Sequence, residues 1–329
     1  MTIETSPEAL RVLITGATGF VGSALVKALD NDVRYVPLSV VRSKAQSCES
    51  SAGTFYISDL SSTTDWRDGL KDCAVVVHTA ARVHVMNEVA SDALAEFRKV
   101  NVAGTLRLAR QAAEAGVRRF VFISSVKVNG ESTDGGRPFT AEDLPAPSDP
   151  YGVSKQEAEE ALRVVSAETG MEVVIIRPTL VYGPGVKANF RSMMGWIKKG
   201  VPLPFGAIHN KRSLVAIDNL VSLITVCLSH PKAAGEVFLA SDGVDLSTTE
   251  LLRKTAAALG VKSRLIPVPA RLLIACAIIT GRRSLSQRLC GSLQVDPQKT
   301  QSVLGWSPPV SVDDALNRTA EEFLGCHSC

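Results

Sequence analysis

A chain of 329 residues that is 45 % hydrophobic and 21 % charged can bury a large core, and its length alone suggests about two domains of ordinary globular composition. The formal charge of +3 is spread along the chain without a basic run, which gives no case for nucleic acid as a partner. Seven cysteines (48, 73, 227, 276, 290, 326 and 329), scattered and odd in number, suit reduced thiols in a cytoplasmic protein rather than a disulfide framework.

The acidic start, Met1 to Glu8, lacks the apolar core of a signal peptide. Residues 10–15 (Leu-Arg-Val-Leu-Ile-Thr) read as a buried strand that runs into Gly16-Ala17-Thr18-Gly19-Phe20-Val21-Gly22 and then a helical stretch over 23–30. Strand, glycine turn and helix together are the context of a dinucleotide-binding fingerprint. Gly16 permits the tight turn, Gly19 lets backbone amides approach a pyrophosphate, and Gly22 lets the helix pack closely. A second strand lies within 33–41, and the residue at its end should meet the adenosine ribose. No acidic residue stands there; Arg42, with Ser43 and Lys44, suits a 2′-phosphate and favours NADP(H) over NAD(H). The alternative is a surface arginine, since Pro37 interrupts the run and blurs its register.

Residues 54–60 read as a third strand ending in Asp59-Leu60, where the aspartate either meets the adenine amino group or caps the next helix. The run 74–81 ends in the small residues Ala80 and Ala81, which leave room for a cofactor across the strand edge. A long amphipathic helical stretch follows over 90–116, with Asn101 inside it. Residues 118–125 form a fifth strand that puts Ser124 and Ser125 at its C-terminal tip, and a loop over 129–149 leads to a helix reaching about residue 169. At the start of that helix Tyr151 and Lys155 share one face, after Pro150, which suits a first turn. A tyrosine with a pKa of about 10 is a poor acid or base at neutral pH, and an ammonium one turn away lowers that value. A sixth strand over 172–177 ends at Pro178.

This alternation defines an α/β protein with a Rossmann-type doubly wound parallel sheet over 8–180. From Tyr182 on, glycine and proline break the pattern into the short pieces of a smaller C-terminal α/β substrate domain over 181–325, with a late strand at 236–240 returning to the main sheet and helices over 247–259 and 312–323. The apolar window 272–280 is far shorter than the roughly 20 residues of a membrane span. It reads as a core or substrate-domain helix, with an interfacial membrane contact as the alternative. Cys326, His327 and Cys329 lack the other half of a zinc set, so no metal site is expected.

The series Gly16 to Gly22, Ser124-Ser125 and Tyr151-Gly152-Val153-Ser154-Lys155 resembles the extended short-chain dehydrogenase/reductase family, and further family-like blocks (Asn101-Val102-Ala103-Gly104-Thr105, Val181-Tyr182-Gly183-Pro184-Gly185, Arg212 to Leu220) follow in family order. The resemblance implies Tyr151 as acid/base, Lys155 as its partner and a nicotinamide-ribose ligand, and Ser125 as the residue bonded to the substrate oxygen. It implies cofactor contacts at Gly16, Gly19, Phe20, Val21, Gly22, Asp59, Leu60, Ala80, Ala81 and Pro178, and a structural role or a contact for Asn101. For a UDP-sugar substrate it implies Asn189 and Arg212 at the diphosphate, with His84 and Lys127 near the sugar. A homodimer joined through the helices at 90–115 and 151–169 is also implied, with Ala158, Ala161, Leu162 and Val165 as contact residues. Where many epimerases of this family carry a tyrosine, this chain reads Lys127-Val128-Asn129-Gly130, and the segment Ile123 to Glu131, together with Lys211 to Leu220 and the apolar helix Pro269 to Ile279, looks most like bacterial surface-polysaccharide (lipopolysaccharide) enzymes. These reduce the 4-keto group of UDP-2-acetamido-2,6-dideoxy-hexuloses. The alternative is a UDP-glucose or UDP-N-acetylglucosamine 4-epimerase with bound NAD; a dehydratase would need a carboxylate that Ser124-Ser125-Val126 does not offer.

Overall fold

In the computed structural model, residues 9–42, 50–83, 92–280 and 283–325 are described. His84, Ser43, Lys44, the N-terminal eight residues and the tail with Cys326, His327 and Cys329 lie outside them. Among the described residues ten strands run β1 (Leu10–Thr15), β2 (Tyr35–Val41), β3 (Thr54–Tyr56), β4 (Val75–His78), β5 (Arg119–Ile123), β6 (Glu172–Pro178), β7 (Leu180–Tyr182), β8 (Arg212–Ala216), β9 (Val237–Ala240) and β10 (Asp245–Leu246). The helices are α1 (Phe20–Asp30), α2 (Arg67–Leu70), α3 (Ala93–Phe97), α4 (Thr105–Glu114), α5 (Pro150–Thr169), α6 (Ala188–Lys198), α7 (Ile217–Ser229), α8 (Thr248–Ala258), α9 (Ala270–Ile279), α10 (Arg283–Cys290), α11 (Gln298–Leu304) and α12 (Val312–Leu324).

Seven strands make a parallel sheet in the order β3-β2-β1-β4-β5-β6-β9. Its strands are apolar on both faces because helices cover both. Val12, Ile14, Val75, Val77, Val121, Ile123, Val174 and Ile176 face a core closed by α1 and α7. The alternate residues Leu13, Val76, Phe120, Phe122, Val173 and Ile175 face α4 and α5. The strand order reverses between β1 and β4, the crevice where such sheets bind ligands. A smaller sheet, β10-β8-β7, packs with α6, α8 and α12 around Tyr182, Met194, Leu252 and Leu316. More than the late strand returns to the main sheet: α7, Leu304 and Trp306 also join its core.

Two local readings change. The third strand stops at Tyr56, so Asp59 and Leu60 lie in the following loop, and Asp59 caps no helix because α2 starts after Trp66. The long helical stretch is not uniform: Arg98–Gly104 widens into a π-helical segment between α3 and α4, with Asn101 buried inside it.

Candidate active site

The glycine turn fits a dinucleotide. Gly16 sits at φ +70°, and a Cβ there would lie 2.7 Å from Thr79 Oγ1 and 2.9 Å from the Ala80 nitrogen. A Cβ on Gly22 would lie 2.1 Å from the Gly16 carbonyl oxygen, so the helix abuts the turn itself. Gly19 is the N-cap of α1, no side chain caps it, and the first turn carries no acidic residue. The first amides are thus left to an anion, which the helix dipole also favours. Phe20 and Val21 open α1 half-buried, while Ala80 and Ala81 leave β4 beside the turn. Arg42 follows the last residue of β2 directly and is exposed. Asp59 is exposed and accepts from Ser58 and Ser61 hydroxyls, whereas Leu60 packs beside Gly104. Pro178 ends β6, buried beside β9.

The start of α5 carries the proton-handling residues. Asp149 is its N-cap, accepting from Gly152 N at 2.7 Å, and Pro150 occupies the first turn. Lys127 reaches across to this cap: its ammonium is ion-paired with Asp149 and, at 3.0 Å, with Glu131. These two carboxylates engage the lysine that was expected near the sugar. The pairing fastens the Ser125 turn to the helix start, and a Cβ on Gly152 would come within 3.0 Å of the Lys127 carbonyl. Ser125 is half-buried and extended just before the turn Val126–Val128, its Oγ accepting from Lys127 N at 3.2 Å.

Tyr151, Lys155 and Glu159 recur every four residues on α5, and Lys155 and Glu159 reach the C-terminal end of β5 at Ile123 and Ser124. The Tyr151 ring meets Phe97 edge-on at 6.1 Å. Lys155 is buried, donates to the Ile123 carbonyl at 2.8 Å and sits 4.4 Å above the Phe122 ring. Burial brings its pKa down to about 7, against the opposing pull of Glu159. The expected lowering of the Tyr151 pKa is not what this arrangement gives. Burial, followed by the charge of Asp149, pushes the phenol up.

Two buried polar networks support this face. Glu159 accepts from Ser124 Oγ at 2.6 Å and from Arg177 at 2.9 and 2.6 Å, while Arg177 also donates to Asn129 at 3.0 Å. His78 bridges Thr15 at 2.7 Å and Thr105 at 2.9 Å, and burial, aided by the Lys155 charge, brings its pKa down to about 3. Asn101 accepts from Arg82 N at 2.8 Å and donates to Ser154 at 3.0 Å, so it ties the β4 edge to α5. Sequence reasoning passed over Glu159 and His78. The four-residue step from Lys155 is a signal that points to Glu159; His78 is visible only as a polar residue inside an apolar strand.

The residues assigned to the diphosphate both belong to the smaller lobe, one at the start of α6 and one at the start of β8. Asn189 is exposed in the first turn of α6, after Ala188 at φ +53°. Arg212 opens β8, donates to the Gly291 carbonyl at 3.1 Å and is half-buried; burial draws its pKa down while Asp134 and Glu131 oppose it. As for the dimer contacts, Ala158, Leu162 and Val165 are buried against this chain's own sheet, as the covering stripe of any such helix must be, and are not available to a partner. Ala161 is half-buried.

A seven-stranded parallel sheet with a glycine turn at its crevice, and a Ser-Tyr-Lys set at the tips of β5 and α5, defines a dinucleotide-fold enzyme. A model of the NAD dependent epimerase/dehydratase family matches residues 12–240, and the chain belongs to that family. It is 49 % identical over 314 residues to a UDP-glucose 4-epimerase of Vibrio cholerae, with 95 % of each chain covered. It is also similar to the structure of UDP-N-acetylglucosamine 4-epimerase from Bacillus cereus (TM-score 0.78, 22 % identity, 97 % of this chain and 100 % of that one). A further similar structure is UDP-glucuronic acid 4-epimerase from Bacillus cereus in complex with NAD (TM-score 0.76, 21 % identity, 97 % and 100 %).

Proposed function

We propose that this protein is an NAD-dependent 4-epimerase of a UDP-hexose, UDP-glucose or UDP-N-acetylglucosamine. The observation that carries the proposal is the 49 % identity, along nearly the whole chain, to a UDP-glucose 4-epimerase. This replaces 4-keto reduction as the leading reading, and NAD replaces NADP(H), since the similar enzyme named above was solved with NAD. Bound on the Gly16 to Gly22 turn, NAD supplies a site that accepts and returns hydride at C4 of the sugar. Tyr151 takes the proton from O4 as that carbon is oxidised and gives it back when it is reduced; Ser125 hydrogen-bonds the same oxygen. The phenol, pushed up by burial in the protein alone, needs cationic help to serve at neutral pH, and Lys155 is the cation on its face. Arg212 and Asn189 hold the diphosphate, Arg212 through its guanidinium fork. The working unit is a homodimer paired through the outer faces of α4 and α5. Its place is the cytoplasm, which suits the buried free thiols of Cys73 and Cys227, raised by burial to about 11 and about 12.

The test is conversion of UDP-glucose to UDP-galactose by the protein as purified, with no nucleotide added and with NAD released on denaturation. One observation favours a second reading, reduction of a UDP-2-acetamido-2,6-dideoxy-hexulose: Lys127 stands in the segment where many epimerases carry a tyrosine. Stoichiometric consumption of added NADPH with a 4-keto sugar, and no epimerisation, establishes that reading instead. In that event Arg42→Ala raises the Michaelis constant for NADPH roughly tenfold or more and leaves that for NADH nearly unchanged.

A further inference from the structure

Helix α9 (Ala-Arg-Leu-Leu-Ile-Ala-Cys-Ala-Ile-Ile) is apolar except for Arg271, yet none of its residues is buried. Only Ala270, Leu273 and Ala277 are half-covered. Leu272 is 56 % exposed, Ile278 49 % and Ile279 84 %, and Ile266 just before the helix is 50 % exposed. An apolar helix of this kind in a water-exposed position is unusual, because such a helix normally ends in a core or a membrane.

The charge around it is just as uneven. Between Glu250 and Asp296 there is no acidic residue, whereas Lys262, Arg264, Arg271, Arg282, Arg283 and Arg288 stand on either side of or within the apolar run. No basic run exists, but this one region concentrates positive charge that the rest of the chain balances. Lys262, Arg264, Arg271 and Arg288 are exposed. At ten residues the helix is about 15 Å long, half of a hydrocarbon core, and no helix among the described residues is long and apolar enough to cross a membrane.

From this apolar face and its basic rim we infer that α9 is a lipid-docking helix, which lies in the headgroup layer of an anionic bilayer and seats the enzyme on that surface. Aliphatic side chains enter the acyl boundary and the arginines meet lipid phosphates, as amphitropic helices do. A second copy of the chain fits this face poorly. A two-fold contact sets each patch against itself, and here it would bring two basic rims together. The chain on both sides of α9 is fastened to the substrate lobe: just before it Ile266 N donates to the Leu203 carbonyl at 2.8 Å and Pro269 pairs with Ala207, and beyond it the end of α10 is held as well. The Leu289 carbonyl, at the end of α10, accepts from Thr248 Oγ1 at 2.6 Å, and the Gly291 carbonyl accepts from Asn210 at 2.8 Å and from Arg212 at 3.1 Å. Docking through α9 therefore holds the Arg212 end of the molecule towards the lipid.

The test is flotation of the full chain with vesicles of mixed phosphatidylglycerol and phosphatidylcholine, and with phosphatidylcholine alone. Wild type is expected to float with the anionic vesicles and to lose roughly a factor of ten in partitioning on neutral ones. The double variant Leu272→Gln/Ile279→Gln, and separately Arg271→Glu, are expected to cut binding to anionic vesicles by about tenfold or more. An unchanged melting temperature in lipid-free buffer shows that each variant is folded. The inference is overturned if wild type floats with neither vesicle, or if both folded variants float as well as wild type. A wild type that stays off vesicles, but whose mass by light scattering halves in the double variant, assigns α9 to a contact between copies and overturns it equally.

Discussion

Helices α5 and α9 treat charge and oil in opposite ways. The first buries Lys155 and Glu159 completely, beside an apolar stripe of Ala158, Leu162 and Val165 that covers the sheet. The second leaves Leu272, Ile278 and Ile279 in water and buries nothing. In α5 each buried charge has a partner supplied by another element: the Ile123 carbonyl for Lys155, and Ser124 and Arg177 for Glu159. Burying charge is tolerable only with such partners. The contrast teaches that the first helix is completed by its own chain, whereas the second is completed by something else.

The largest effects should come from the faces that α5 presents to the site. Tyr151→Phe removes the proton donor while leaving the ring against Phe97, so turnover should fall by about a hundredfold to ten-thousandfold with the melting temperature nearly unchanged. Full activity in this variant refutes the assignment. Next comes Glu159→Leu, which leaves the Arg177 guanidinium buried without its carboxylate and should cost about 3 to 5 kcal/mol in urea unfolding. Glu159→Leu/Arg177→Met should recover most of that loss. If it does not, the pair is not a closed unit and α5 is less self-sufficient than the comparison holds.

His78 sharpens the same point through pH. Its folded pKa, about 3, lies below the ordinary 6.5, so the folded protein keeps the ring neutral where the unfolded chain would protonate it. The stability tied to this ring is fully present above pH 6.5 and is lost as the pH falls towards 3, by up to roughly 4 kcal/mol. Unfolding midpoints at pH 7, 5 and 3.5 should converge for wild type and His78→Gln once the difference at pH 7 is removed only if the ring is not responsible; a shallower slope in the variant is the expected result.

What could be read from the chain before folding divides along the same line. The glycine turn, the strand tips and the Tyr151–Lys155 step were legible because they rest on local geometry: a positive φ at Gly16, a helix start at Pro150, and side chains four residues apart. Whether Lys127 faces a sugar was not legible, because its ammonium is claimed by Asp149, 22 residues away. The end of the third strand was misplaced because, among the described residues, β3 pairs only with β2 and the pairing stops at Tyr56. The direction of the Tyr151 shift in the protein alone was misread because burial outweighs the neighbouring ammonium. For α9, the apolar run was plain, and its length excluded a span. Composition alone cannot say whether such a run meets a core, and here the fold leaves it uncovered.

The smallest expected effect is therefore the most direct check on the contrast. Leu162→Ala in α5 empties space in a packed core between helix and sheet, and should cost about 2 to 5 kcal/mol. Leu272→Ala in α9 removes a side chain that is more than half exposed, so little buried surface and no cavity are at stake. In lipid-free buffer the cost should stay within about 0.5 kcal/mol, the usual range for surface substitutions. Both variants can be compared in one urea series, provided the slopes of the transitions match. If Leu272→Ala proves as costly as Leu162→Ala, α9 is packed against its own protein in solution, and neither the contrast between the helices nor the lipid-facing role survives. A near-zero value leaves the aliphatic side chains of α9 in water with no stability to show for it, which is the condition a surface-seeking helix must meet.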